Sequence, residues 1–364
     1  MPWIFCILET GAEFKKHRHE PKPLIIFLVG GDGLRSTGAT KQKQNTTHSP
    51  LLTASLAVDV SPIPLQLGKR SVGKVVKYLV LDGYSEDGRK ELMQGGASTA
   101  GVLYENMLRN HTPTPCEVDI VYPADDNFSL RIADIEQYDG VAWTGSSLTI
   151  YSGECNVNKQ IDFCKDVFMA GIPQFGSCWA LQVAVVAAGG VCMKNPRGRE
   201  VGISRKIQLT EAGRSHPMFH GKSTVFDAFT SHFDEATHLP PGGLVLAGNY
   251  HTSIQAATIN HLNGSFWAVQ YHPEYNFYEL AMLLRCRKAF MLQNGYFENE
   301  EAADRYISTL IKLHEGGGTN QRDEKAAFHL KWQLGIDHDL VDSNVRCLEV
   351  SNWITYQVMG TNSK

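Results

Sequence analysis

The sequence predicts an α/β protein: a mainly parallel sheet flanked by helices, with an added β-rich portion and a C-terminal helical tail. Three observations carry this. Short β-branched runs such as residues 75–81 (VVKYLVL) alternate with helix-patterned segments up to residue 190, which implies βαβ crossovers and parallel strands. From residue 200 to 272 strand-like runs follow one another with no helix between them. After Gly295 the chain turns acidic and helical, then crosses Gly316, Gly317 and Gly318.

Taken in order, residues 75–81 end at Asp82-Gly83, as a buried strand does, and 97–108 read as a helix. Residues 116–122 form the next strand, and 138–144 a third that runs into Gly145-Ser146-Ser147. A helix over 160–170, a short strand over 172–175 and an apolar helix over 180–188 follow, the last stopped by Gly189-Gly190. Strands are expected at 201–209, 224–229, 243–247, 253–257 and 265–269. Residues 325–359 space their apolar side chains as two helices that pack on the main domain or on a partner.

The leader is different. Around a possible strand at 23–29, with no partner nearby, residues 1–75 are expected to be weakly structured. Gly30, Gly31 and Gly33 match no phosphate-binding pattern and read as a turn. The expected division is therefore 1–75 leader, 76–296 main α/β domain and 297–364 helical extension.

Composition excludes several functions. With 364 residues, 34 Lys+Arg against 38 Asp+Glu and a net charge of −4, the chain is no strongly basic nucleic-acid binder. No apolar run approaches the roughly 20 residues of a membrane span. Neither early apolar run has the flanks of a signal peptide, so a cytoplasmic location is expected. The eight cysteines contain no C-x-x-C pair, and most are expected to be buried filler.

One cysteine stands apart. In 171–182 (GIPQFGSCWALQ) a short strand reaches Cys178 and a helix starts at once, the geometry of a nucleophile elbow. Gly176 and Ala180 are small, as such a corner requires, and the helix N-terminus favours a thiolate. The Trp179 amide is placed to face a developing oxyanion. A base comes from 266–275 (FWAVQYHPEY): His272 and Glu274 stand two apart at a strand end, so the carboxylate can hold one imidazole nitrogen while the other faces Cys178. Gly145, in the loop after the third strand, is the natural second oxyanion donor.

Together these segments resemble class I (triad-type) glutamine amidotransferases, especially the glutaminase domain of GMP synthase and its stand-alone relatives. The motifs are the strand-loop from Tyr138 to Tyr151, the elbow from Gly176 to Gln182, and Gln270 to Glu274. Ser231-His232-Phe233-Asp234-Glu235 with Leu239-Pro240, and Arg199-Glu200 after Asn195-Pro196, are similar to further family segments. The resemblance spans roughly 76–296 and implies a flavodoxin-like fold. It also implies a Cys178–His272–Glu274 triad, L-glutamine as substrate, a pocket shaped by Ser146 and Gln182, and no cofactor. The chain departs from the family at Ala180, usually Gly, and at Thr144-Gly145-Ser146-Ser147, usually Gly-Gly-Pro. It also lacks the nucleotide loop of a synthetase, so ammonia released from glutamine would go to a separate synthetase or acceptor protein.

Three readings stay open: a glutaminase supplying ammonia, a hydrolase of small γ-glutamyl peptides, and a non-catalytic or redox-sensing member of the fold. The intact triad argues against the third. His216 and His220 have metal-like spacing, but Pro217 follows the first and no acidic partner is evident, so a loop is expected. Trp143, Trp179 and Trp267 lie near the site in sequence, yet core packing explains them as simply.

Overall fold

Strand β1 (Val76–Leu81) shows why the sheet forms. Tyr78 and Val80 point to one face and Leu79 and Leu81 to the other, and all four are fully buried, as in a strand covered on both sides. A computed structural model describes residues 75–316 and 321–360 of the chain. The readings made for residues 1–74, including the strand at 23–29 and the glycine turn, lie outside the described residues, as do Gly317 and Gly318.

The remaining strands are β2 (Cys116–Val121), β3 (Gly140–Trp143), β4 (Gln174–Ser177), β5 (Val191–Lys194), β6 (Glu200–Leu209), β7 (Val225–His232), β8 (Asp234–His238), β9 (Gly243–Gly248), β10 (Ala256–His261) and β11 (Gly264–Val269). Nine of the eleven described strands form one sheet in the order β2-β1-β3-β4-β11-β10-β9-β6-β7. The half from β2 to β11 is parallel, and the rest is antiparallel. The β-rich portion is thus an extension of the central sheet, and β5 with β8 makes a separate two-stranded ribbon.

Helices α1 (Glu86–Gln94), α2 (Ala100–His111), α3 (Ile132–Ile135), α4 (Cys155–Ala170) and α5 (Trp179–Ala187) fill the crossovers of the parallel half. Then come α6 (Glu211–Ser215), α7 (Phe277–Cys286), α8 (Lys288–Gln293), α9 (Glu300–His314), α10 (Gln321–Gln333), α11 (His338–Val341), α12 (Ser343–Arg346) and α13 (Leu348–Trp353). Among the described residues no helix is long and apolar enough to cross a membrane.

Several boundaries differ from the sequence expectation, each for a local reason. Helix α1 was not expected; Ser85 caps it by accepting from the Gly88 amide, with Glu86 and Asp87 in its first turn. The strand expected at 172–175 lies at 174–177, so Gly176 and Ser177 are strand residues leading straight into the elbow. The strand expected at 253–257 begins at Ala256, because Asn249 and Thr252 first close a turn. The ribbon strands β5 and β8 were also unforeseen. The two helices expected at 325–359 are α10 and a broken run, α11 to α13, because the Asp337 and Asp342 side chains each cap a new helix start.

The C-terminal run covers one face of the parallel sheet. Trp353 is fully buried, 6.0 Å from the Tyr78 ring and 5.8 Å from Phe175. A side chain at Gly140 would come within 2.8 Å of the Trp353 indole, so the strand is bare there to admit the ring. Beside it, Glu349 meets Lys222 at 3.1 Å and accepts from the Tyr271 hydroxyl at 2.5 Å. Both charged side chains are almost fully buried. Glu349→Gln leaves the Lys222 charge uncompensated in the interior, and is expected to cost about 3 kcal/mol of stability, read from denaturant unfolding. The double change Glu349→Met with Lys222→Met is expected to cost less.

Candidate active site

Cys178 sits where β4 hands over to α5, with φ 56° and ψ −101°, a conformation that side-chain-bearing residues rarely adopt. Its amide donates to the Val269 carbonyl of β11 at 2.7 Å, which pins the corner to the next strand. A Cβ at Gly176 would lie 2.3 Å from the Ala180 Cβ and 2.7 Å from the Trp143 carbonyl, so the turn closes only around glycine. The backbone strain at Cys178 has a measurable consequence. Cys178→Gly is expected to unfold at higher temperature than Cys178→Ala, by about 1 kcal/mol of stability, because only glycine relaxes at positive φ.

His272 Nδ1 lies 2.6 Å from Glu274 Oε1, with both side chains buried, and Cys178 and Glu274 both favour the charged imidazole. The Tyr275 ring stacks on the imidazole at 4.1 Å with an interplanar angle of 1°. Strand β11 ends at Val269, three residues before His272. The His272 amide donates a hydrogen bond to the Phe229 carbonyl, and a turn closed by the Tyr275 amide on the His272 carbonyl presents Glu274. The pairing predicted from strand alternation therefore exists, but a turn produces it.

Glu274 Oε1 also accepts from Ser177 Oγ at 3.0 Å, and Ser177 Oγ in turn accepts from the Tyr104 hydroxyl at 2.7 Å. This buried chain from α2 through Ser177 fixes the carboxylate, and the sequence reading missed both supports. Burial works against a charged imidazole at 272, but the Glu274 carboxylate and Cys178 outweigh it and hold its pKa up at about 10.

The loop after β3 crosses directly over the pair. A Cβ at Gly145 would lie 2.8 Å from His272 Cε1 and 3.8 Å from the Cys178 Cβ, so glycine is needed to let the backbone amide approach. Gly145→Ala is expected to displace the imidazole and lower turnover about 100-fold with little change in KM, as loss of positioning at the reacting atoms does. Thr144 and Ser146 tie the loop to Gly83, through the Gly83 amide at 3.0 Å and its carbonyl at 2.9 Å. The Trp179 amide lies in the first turn of α5, where no intrahelical acceptor exists. Its indole turns away into the core and donates to Gln160 at 2.8 Å. Trp143 and Trp267 are also core residues, on opposite faces of the sheet.

A cavity of about 100 Å³ opens on Cys178. Ser146, Gln182, Ser231, Arg199 and Arg287 are among its lining residues. Gln182 is nearly fully buried and donates to the Asp234 carbonyl at 3.4 Å. Opposite, His232 contacts Glu200 at 2.9 Å. Burial alone would raise the Glu200 carboxyl; its bonds to His232, Asn249 and Ser204 hold it down at about 2. Arg199 and Ser231 stand in motifs already singled out, but no sequence signal points to Arg287.

The other candidates are structural. His216 caps the turn at Met218 and packs edge-on against Trp267, and His220 bonds Tyr356. Among the described residues no group of three or more His, Cys, Asp or Glu is placed to hold a metal ion. The seven described cysteines are all free thiols.

An elbow cysteine, a buried imidazole and a carboxylate on a half-parallel sheet define a class. The family model for class I glutamine amidotransferases matches residues 102–283, and the chain belongs to that family. It is 32% identical over 289 residues to the γ-glutamyl-L-1-hydroxyisopropylamide hydrolase of a Pseudomonas species, covering 79% of this chain and 94% of that protein. It is 33% identical over 131 residues to the glutamine-hydrolysing GMP synthase of Thermosipho africanus, covering 35% of this chain but only 24% of the synthase. A glutamine amidotransferase from Thermotoga maritima shares the fold, with a TM-score of 0.51 at 13% identity over 79% of this chain and 99% of that one.

Proposed function

We propose that the chain hydrolyses the amide bond of γ-glutamyl amides through a Cys178 thioester, with His272 as acid and base and Glu274 as its orienting carboxylate. The observation that carries this reading is the close approach of the Gly145 loop, Cys178 and the His272 imidazole, itself 2.6 Å from Glu274, at the edge of a cavity that Cys178 and Ser146 line. Cys178 Sγ attacks the γ-carbonyl carbon, and the oxyanion is met by the Gly145 and Trp179 amides. The C–N bond then breaks as the His272 imidazolium gives its proton to the leaving nitrogen. Water, losing its proton to His272, attacks the thioester and releases glutamate, which restores the thiolate and imidazolium.

The relative matched along most of its length is named for hydrolysis of an N-substituted γ-glutamyl amide, and this favours an amine leaving group larger than ammonia. The second reading, a glutaminase passing ammonia to a separate synthetase, is favoured by the partial matches to GMP synthases. Comparing kcat/KM for a γ-glutamyl alkylamide and for glutamine separates them. At least tenfold higher turnover of the alkylamide is expected. A preference for glutamine that grows when a synthetase is added would overturn the first reading in favour of the second.

A further inference from the structure

One short stretch of the C-terminal run, residues 346–349, grips the chain on both sides of His272. The Tyr271 hydroxyl donates to Glu349 Oε1 at 2.5 Å, and Glu349 is itself met by Lys222 at 3.1 Å. On the other side, the Pro273 carbonyl accepts from Arg346 Nε at 3.3 Å and from the Cys347 thiol at 3.2 Å. Arg346 is fixed in turn, its Nη1 donating to the Leu340 carbonyl at 2.7 Å. Its guanidinium carbon also lies 5.9 Å from the centroid of Phe229, the residue whose carbonyl accepts from the His272 amide at 2.8 Å.

The turn at His272 has need of such support. Strand β11 ends at Val269, so Pro273 and Glu274 lie beyond its ladder. Pro273 has no amide proton, which leaves its carbonyl as the one backbone group at that position able to form a hydrogen bond. Two donors from the C-terminal run meet that carbonyl, and the one from Arg346 is charged, the stronger kind. Packing alone does not call for this chemistry. Burying Glu349 with Lys222 carries a desolvation cost, and apolar side chains of the same volume often fill such a space with no loss of stability.

We propose that residues 346–349 are a brace that positions the His272 imidazole beside Cys178, which makes the C-terminal extension part of the active-site machinery. The brace lies beyond residues 102–283, the part of the chain that carries the family likeness. Arg346, Cys347 and Glu349 are positioning residues that act through Pro273 and Tyr271. None of them lines the cavity that opens on Cys178. A loosened turn therefore costs proton transfer by His272 rather than substrate binding. The kinetic consequence rests on the proposed γ-glutamyl hydrolysis; the placement of the imidazole against the thiol does not.

The test uses the full chain with Arg346→Met and Cys347→Ala together, which removes both donors to the Pro273 carbonyl. Tyr271→Phe, made separately, removes one hydroxyl, keeps the buried ring, and carries the test if thermal unfolding shows the double variant unfolded. Two substrates are compared. A γ-glutamyl alkylamide releases a strongly basic amine that needs the proton from His272, and γ-glutamyl p-nitroanilide releases a weakly basic one that depends on it less. For the alkylamide, kcat/KM is expected to fall about 100-fold in the double variant and about tenfold in Tyr271→Phe, with the p-nitroanilide losing much less. Cys347→Ser in place of Cys347→Ala returns a donor to the Pro273 carbonyl and is expected to recover part of the loss. Equal losses on both substrates, the mark of general destabilisation, would overturn the brace, as would an unchanged alkylamide rate in the folded variants. If the wild type hydrolyses neither substrate, the hydrolase reading fails and the rate of Cys178 alkylation by iodoacetamide decides the brace. An imidazolium held beside the thiol favours the reactive thiolate, so slower alkylation in the variants supports the brace and an unchanged rate overturns it.

Discussion

Cys178→Ala is expected to lower kcat for γ-glutamyl amide hydrolysis by about 10⁴-fold or more, with the fold intact. The size follows from the chemistry: without the thiol no thioester forms, and water must attack an unactivated amide with only the oxyanion donors to help. The intact fold follows from the packing. The Cys178 side chain is small, and its backbone is held by the Val269 carbonyl and by close contact at Gly176, both of which survive the change. Steady-state turnover and thermal unfolding of the same preparation check both halves. Retained turnover in the alanine variant would rule out the proposed nucleophile and return the redox-sensing or non-catalytic reading.

Glu274→Gln is expected to lower kcat/KM by about 10³-fold and to reshape its pH dependence. The carboxylate holds His272 in one ring orientation and supplies the largest force keeping it protonated against burial. An amide keeps the shape but loses the charge. With the wild-type imidazolium persisting up to about pH 10, the rate is expected to fall only as His272 loses the proton that the leaving amine needs. In the variant that alkaline limb moves to lower pH. The same linkage sets a stability window. Because the folded pKa is raised above an ordinary value of about 6.5, the stabilising contribution of protonated His272 is fully present below that value. It is lost as pH rises through about 10. Wild type and variant are therefore expected to converge in stability at the alkaline end. A variant with an unmoved alkaline limb would show that Glu274 does not govern His272.

The parallel half of the fold and the grouping of Cys178, His272 and Glu274 as a candidate site were legible in the sequence for one reason. A buried strand must be apolar on both faces, and a nucleophile elbow must have small neighbours, so residues 75–81 and 171–182 carry unmistakable local patterns. The supports of the triad left no such trace. Tyr104 is an aromatic on a helix and Ser177 a serine on a strand, and only the fold brings them into one chain with Glu274. Arg287 follows α7 among other basic residues, and nothing local separates a pocket arginine from a solvated one. The C-terminal run was readable as helical and apolar. Its partner was not, because the bare strand at Gly140 that receives Trp353 lies more than 200 residues away.

The most direct test is to stop the reaction with acid during turnover of a γ-glutamyl alkylamide and map the protein by mass spectrometry. One added γ-glutamyl group is expected, on the peptide containing Cys178, present only while substrate is being consumed and absent from Cys178→Ala. A γ-glutamyl group on any other residue, or substrate consumed at full rate by the alanine variant, would contradict it.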